Sequence, residues 1–149
     1  MNDGAVILFF NKDVKYSLRN KKHVRETLRR IFSDFGCNLS FLNYIFCNDE
    51  FLYNMNVQIL NHDTLTDIIT LDYSEGVEIK GEAYISIDRL RDNAKIFKTS
   101  FYKETLRVMI HGALHLVGLN DKSEYEKSEM RKKEDYYLRE FFRSFTASS

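Results

Sequence analysis

Residues 100–121 have the sequence SFYKETLRVMIHGALHLVGLND, which combines a helical apolar pattern with three side chains that bind metals. The apolar residues recur at helical spacing and are Leu106, Ile110, Ala113, Leu114 and Val117. Ser100 is a good helix N-cap, and Gly118 suits the position that follows a helix end. The pattern therefore predicts an amphipathic helix between Ser100 and Gly118.

The flanking sequence predicts further strands and helices. Apolar and alternating segments predict four strands, at Ala5–Phe10, Leu39–Cys47, Thr66–Tyr73 and Glu82–Ile87. Amphipathic spacing and capping residues predict four more helices, at Ser17–Phe35, Asn48–Leu60, Asp88–Phe97 and Ser123–Phe142. Strands and helices alternate early, whereas helices dominate late. We expect residues 1–149 to form a single α+β domain, a four-stranded mixed sheet packed by about five helices.

Composition indicates a globular protein, because 44% of the 149 residues are hydrophobic and 30% are charged. No apolar run approaches the roughly 20 residues that span a bilayer, and the N-terminus lacks a secretory leader pattern. We therefore expect a cytoplasmic protein without a membrane partner. In that reducing compartment, Cys37 and Cys47 are expected to remain thiols.

The charges balance at 22 basic and 22 acidic residues, so net charge alone does not indicate a nucleic-acid partner. Their distribution is uneven. Eight lysines and arginines lie between residues 12 and 30 against only Asp13 and Glu26. This segment can follow a phosphate backbone, or it can be the solvated face of a helix whose apolar side packs into the core.

The pair His111 and His115 is spaced by one helical turn, so both imidazoles lie on one face and can bind one ion. Gly118 allows a sharp turn that returns Asp121 to the same point. Two nitrogens and one carboxylate, with a fourth position for water, are typical of catalytic zinc. The alternative is that His111 is a core histidine and His115 a surface one.

The spacing of this group matches the H-x-x-x-H-x-x-G-x-x-[HD] pattern of metzincin-like zinc helices. Metalloproteases place a glutamate directly after the first histidine as general base, and here that position is Gly112. Peptidase chemistry therefore lacks its base, although a metallopeptidase remains an alternative.

The same segment resembles the YbeY family of bacterial endoribonucleases and ribosomal RNA maturation factors. The family signature H-G-x-L-H-L-x-G-x-D-H is matched at six positions, which are His111, Gly112, Leu114, His115, Leu116 and Gly118. Residues 66–71 and 81–86 resemble two strands of the family, and Met130 and Glu134 fit its last helix. The similarity covers about residues 50–140.

The resemblance implies a zinc-dependent endoribonuclease, with one ion per chain, that acts on single-stranded ribosomal RNA precursors. The implied roles are maturation of the small-subunit rRNA 3′ end and ribosome quality control. RNA is the implied partner, ribosomal or small-subunit proteins are possible partners, and DNA is not expected. A ribosome-assembly factor that binds RNA around a structural metal is the main alternative.

The chain departs from the family at several positions. The third family histidine falls at Asp121 and the preceding aspartate at Asn120, so the implied ligands are His111, His115 and Asp121. The family arginine implicated in RNA cleavage falls at Leu60.

Two further residues are candidate catalytic groups. His62 is a candidate for phosphate contact or proton transfer, or it is a loop residue without a role. Glu82 corresponds to a family acid on a strand close to the metal helix. It is a candidate base or a partner that orients a ligand imidazole, or it is structural. Asp67 is either functional or a plain strand-end carboxylate.

Overall fold

The computed structural model describes residues 6–61 and 65–147, and it contains an α+β fold. The elements follow in the order β1 (Val6–Asn11), α1 (Lys21–Asp34), β2 (Asn38–Cys47), α2 (Asp49–Leu60), β3 (Ile68–Asp72), β4 (Glu78–Ser86), α3 (Ile87–Ile96), α4 (Phe101–Leu116) and α5 (Glu124–Ala147). The predicted fold class is therefore confirmed.

The sheet is mixed and has the order β1-β2-β4-β3. Strands β1, β2 and β4 are parallel, and β3 pairs with β4 in the antiparallel direction. The connection through α1 joins the parallel neighbours β1 and β2. Helix α2 leads from β2 to β3, and a short turn then joins β3 to its antiparallel neighbour β4. Strand β3 consequently forms one edge of the described sheet and lies beside α4.

Helix α4 occupies the centre of the molecule. It packs against α1, α3 and α5 and against strands β3 and β4. Met109, Ala113 and Leu114 have no exposed surface. The buried Tyr44 hydroxyl of β2 donates a hydrogen bond to the carbonyl of Met109 at 2.8 Å. Tight packing on several sides holds the helix, and therefore its functional side chains, in a fixed position.

Several predicted boundaries are wrong by a few residues. Helix α1 begins at Lys21 rather than Ser17, because Asn20 takes a left-handed conformation with φ 59°. Strand β4 begins at Glu78 rather than Glu82. The N-cap of α3 is Ser86, whose hydroxyl accepts from the Arg89 amide at 3.3 Å. Asp88, where this helix was predicted to begin, instead accepts from the amide of Asp49.

Both cysteines are free, as expected. Among the described residues, no helix combines the length and the apolar character required to cross a membrane.

Candidate metal centre

The end of α4 brings three potential metal ligands together. His111 and His115 lie one turn apart on the same face of the helix, which ends at Leu116. Gly118 then adopts φ +105°, a conformation that favours glycine, and the amide of Leu119 donates back to the carbonyl of Leu114. This turn reverses the chain and returns Asp121 to the two histidines.

The three donor atoms form a small triangle. His111 Nε2 and His115 Nε2 are 2.9 Å apart, and Asp121 Oδ2 lies 3.2 Å and 3.3 Å from them. Ligands at the usual zinc distances of about 2.0–2.1 Å in a tetrahedral site are separated by about 3.3 Å. The residues therefore fit a small divalent ion, and this group can hold one.

Both imidazoles are held by their other nitrogen. His115 Nδ1 lies 2.9 Å from the carbonyl of Leu119, and His111 Nδ1 lies 2.6 Å from Glu134 Oε2. A carbonyl and a carboxylate accept hydrogen bonds, so each Nδ1 carries the proton and each Nε2 keeps its lone pair. This second hydrogen bond is the usual support of a metal-binding histidine.

Glu134 is itself fixed by its surroundings. It lies on α5, is 5% exposed, and its Oε1 accepts a charged hydrogen bond from Arg107 Nη1 at 3.1 Å. The connection Arg107–Glu134–His111 thus links two helices across the site. Sequence reasoning placed Glu134 in the last helix of the family but assigned it no role, because no local pattern joins residues 23 positions apart.

The electrostatic environment of His111 favours a cation. Burial lowers the pKa of His111, but the hydrogen bond and charge of Glu134 raise it, with smaller contributions from Asp121 and Asp67, and the pKa is raised overall. The same negative charges that favour a proton on this ring also favour a metal ion beside it.

The ligands lie where two cavities meet. One cavity has a volume of 440 Å³ and is lined mainly by residues of α3, α4 and α5. The other, of 470 Å³, is lined mainly by β3 and its preceding residues. Asp67, His111 and Asp121 border both. The two cavities therefore form an open cleft that passes across the candidate metal site.

Asp67 is a half-buried acid in this cleft rather than an exposed strand end. Burial raises the pKa of its carboxyl, and the positive charge of His111 partly offsets that effect. Its Oδ2 accepts a hydrogen bond of 3.3 Å from Asn93. A carboxyl with a raised pKa beside a metal site is suited to carry a proton.

Gly112 has a packing reason for its lack of a side chain. A methyl group at this position would lie 2.8 Å from Ile68 Cδ1 and 3.4 Å from Thr70 Oγ1 on β3. Any side chain at position 112 would therefore require the Ile68 side chain to shift. The same close approach of α4 to β3 disfavours the longer glutamate that metalloproteases place here.

The structure does not bring Glu82 to the metal ligands. Along β4 the side chains alternate, and Gly81 and Ala83 face Leu116 and Gly112 of α4. Glu82 therefore points to the opposite face, where its carboxylate accepts from the Tyr73 hydroxyl at 3.1 Å. The expected contact between Glu82 and a ligand imidazole is wrong, and Glu134 makes that contact instead.

The other two sequence candidates lie near β3. His62 falls outside the described residues. Leu60, at the position of the family arginine, lines the cavity beside β3. The basic residues that border the cleft lie on its other side and are Arg107, Lys127 and Arg131. Sequence reasoning missed all three, because their charges are spread over two helices.

An α+β fold with a His-His-Asp group in an open cleft defines a protein of the metal-dependent hydrolase class. The family model described as Endoribonuclease YbeY matches residues 7–142. The protein named Endoribonuclease YbeY from Amoebophilus asiaticus is 45% identical over 90% of this chain and 92% of its own. Its namesake from Flavobacterium johnsoniae is 46% identical over 85% of this chain and 91% of its own.

A solved structure is similar as well. The solution structure of TM1509 from Thermotoga maritima has a TM-score of 0.64 and 25% identity, and the match covers 95% of this chain and 93% of that one. The chain belongs to the YbeY family, whose members are named as endoribonucleases, hydrolases that act on RNA.

Proposed function

We propose that this protein is a zinc-dependent endoribonuclease that cuts single-stranded ribosomal RNA precursors in the cytoplasm. Its proposed roles are maturation of the small-subunit rRNA 3′ end and ribosome quality control, in contact with the ribosome or small-subunit proteins. The observation that carries this proposal is the convergence of His111, His115 and Asp121 within 3.3 Å in a family of endoribonucleases.

The donor set favours zinc among the common divalent ions. Two imidazole nitrogens with one carboxylate oxygen are a ligand set of catalytic zinc sites, whereas magnesium and calcium are bound mostly by oxygen. His111, His115 and Asp121 would hold the ion. When bound, it would stabilise negative charge on a phosphoryl oxygen of the RNA.

The rest of the cleft supplies substrate binding and proton transfer. Lys127 and Arg131 on α5 would contact phosphates, since both line the cleft beside the ligands. Asp67 would hold or accept a proton, because burial raises the pKa of its carboxyl. His62 precedes β3 in the sequence and remains our proposal for a further phosphate contact or proton carrier.

An RNA substrate carries its own nucleophile, the 2′-hydroxyl, whereas peptide hydrolysis must activate a water. Either nucleophile must lose a proton, and with glycine at position 112 Asp67 would accept the proton of the 2′-hydroxyl. The open cleft suits a single strand, whose phosphates and unstacked bases are both accessible. These features favour RNA cleavage over the metallopeptidase alternative.

The proposal is tested with purified protein and end-labelled single-stranded RNA, duplex RNA, single-stranded DNA and a peptide library. We expect cleavage of the single-stranded RNA alone, its loss with a chelator or in His115→Ala, and its return when zinc is added to the wild type. Binding of RNA without cleavage at any zinc concentration would instead support the assembly factor. Cleavage of peptides would support the metallopeptidase.

A further inference from the structure

The 440 Å³ cavity next to the metal ligands contains a buried acceptor without a partner. Glu104 of α4 is 3% exposed and lines this cavity. Among the residues that the structure describes, none donates a hydrogen bond to its Oε1. Buried polar atoms in proteins are nearly always paired, so this oxygen is open to a hydrogen-bond donor that enters the cavity.

The surroundings of Glu104 only partly compensate its charge. Burial raises the pKa of this carboxyl to about 6, and the charges of Arg107 and Arg131 oppose that effect. At neutral pH the group is therefore mostly ionised and accepts hydrogen bonds only. A ligand that offers N–H donors would pair with this oxygen and offset the free-energy cost of its burial. Because the terminal torsion of glutamate is broad, either oxygen can turn to such a ligand.

The other walls of the cavity suit a flat ring. Phe97 borders it and is 56% exposed, so its ring is available for stacking. Arg107 and Arg131 also line this space. Proteins that recognise single-stranded RNA stack unpaired bases on aromatic rings and guanidinium planes and bond their Watson–Crick edges. The cavity volume of 440 Å³ also lies within the usual range for sites that bind small ligands.

The cavity is also correctly placed for a base near the cut. Glu104 precedes His111 by seven residues, two turns of α4, so both lie on one helix face about 10 Å apart along the axis. Asp67, His111 and Asp121 border this cavity and the metal cleft together. A base bound at Glu104 would thus belong to a nucleotide close to the bond that is cleaved.

We propose that this cavity binds a guanine base of the RNA, with the Glu104 carboxylate accepting from its N1–H and its amino group. Guanine presents two neighbouring donors on this edge. Adenine and cytosine present one donor next to an acceptor, and uracil has one donor between two acceptors. The inference rests on the proposed function, since it assumes that RNA occupies the cleft.

The test compares oligouridines that carry one central guanosine, inosine or adenosine. Inosine keeps N1–H and lacks the amino group. Binding is measured by fluorescence anisotropy with chelator present, and cleavage is measured separately with zinc. We expect the guanosine oligomer to bind about tenfold more tightly than the adenosine oligomer, with inosine between them. In Glu104→Gln this preference should fall to about twofold or less, because the neutral amide presents both a donor and an acceptor.

Glu129→Gln is the matched control, since Glu129 is a partly exposed carboxylate of α5 that pairs with Lys132 and does not line the cavity. It should keep the guanosine preference. Equal affinity of the wild type for all three oligomers, or an unchanged preference in Glu104→Gln, would overturn the inference while cleavage of RNA still supports the proposed function. If no RNA is cleaved, the proposed function fails, and the affinities measured with chelator still decide the base pocket.

Discussion

Glu134 is the side chain on which the orientation of His111 depends. Replacing it by glutamine removes the negative charge beside His111 Nδ1 and weakens the 2.6 Å contact. We expect Glu134→Gln to lower zinc affinity by roughly ten- to a hundredfold, as loss of such supporting groups does. The measurement is zinc titration against a competing chelator. Asp135→Asn is the control, because Asp135 pairs with the same Arg107 but does not pair with His111. Equal affinities of the two variants would contradict this role.

Asp121 rather than Asn120 is predicted to be the third ligand. Its Oδ2 lies within 3.3 Å of both Nε2 atoms, and a carboxylate partly neutralises a dication whereas an amide does not. Asp121→Ala should weaken zinc binding by about tenfold or more. Asp121→His should retain zinc, since it restores the three-histidine set of the family. A larger loss in Asn120→Ala than in Asp121→Ala would show that the assignment is wrong.

The buried Glu104 gives a pH-dependent prediction. Its pKa in the folded protein is about 6, above the ordinary value of 4.5, so ionisation favours the unfolded state. Ionisation of Glu104 therefore lowers the free energy of unfolding of the wild type. This loss is absent below about pH 4.5 and fully present above about pH 6, where it amounts to about 2 kcal/mol. Relative to wild type, Glu104→Gln should therefore gain stability as pH rises through this range. Urea unfolding at several pH values measures this gain. Parallel pH profiles of Glu104→Gln and wild type would contradict this expectation.

The metal ligands and the residues that support them differ in what the sequence reveals about them. His111, His115 and Asp121 could be predicted because they follow one another on a helix and its exit turn, where spacing alone fixes geometry. Glu134, Asp67 and Glu104 could not be assigned, because their roles depend on how separate elements pack. Glu82 was misassigned for a related reason: alternation along β4 sets which residues face α4, and the sequence did not show on which side α4 lies.

Among the elements, the contact between α4 and β3 places the ligands in the cleft. The close approach of Gly112 to Ile68 and Thr70 leaves no space for a long side chain. Gly112→Glu should lower the free energy of unfolding by about 1–3 kcal/mol through overpacking. Gly112→Ala should have a smaller effect, since the higher helix propensity of alanine offsets a contact with the flexible end of Ile68. Urea unfolding of the metal-free variants tests this, and a Gly112→Glu protein as stable as wild type would contradict it.

Helix ends were predicted well where a single residue determines them. Ser100 accepts from the amide of Lys103 at 3.0 Å. At Ser123, where the last helix was predicted to begin, the Ser123 hydroxyl and the Glu126 carboxylate form a reciprocal cap of α5. The start of α1 was misplaced because amphipathic spacing continues before Lys21, whereas the left-handed conformation of Asn20 interrupts the helix. Helix ends that depend on one capping side chain can thus be predicted from the sequence, whereas boundaries that depend on the rest of the fold cannot.

For the whole molecule, the distribution of charge around the cleft decides where RNA is held. In the described part of the chain, no α1 residue lines either cavity, and Arg25 donates to the carbonyl of Ile7 while Arg30 pairs with Glu140. This observation favours the α5 residues Lys127 and Arg131 over the basic N-terminal helix as the main phosphate contacts.

Changing Lys127 and Arg131 together to glutamine should therefore weaken RNA binding and reduce the slope of log affinity against log salt. Each lost phosphate contact on a single strand accounts for roughly 0.7 of that slope. Lys21→Gln with Lys22→Gln is the matched control, because it removes the same number of positive charges from the exposed surface of α1. A larger change of slope in the α1 variant would show that RNA follows the N-terminal helix instead.

The central claim is that a metal held by His111, His115 and Asp121 makes this chain an endoribonuclease. It is tested most directly by returning zinc in steps to metal-free protein and measuring cleavage of single-stranded RNA at each step. The account predicts no cleavage without metal and a rate that rises linearly and saturates at one ion per chain, with no rise in His115→Ala. Full cleavage by the metal-free protein, or an equal rate in His115→Ala, would contradict it.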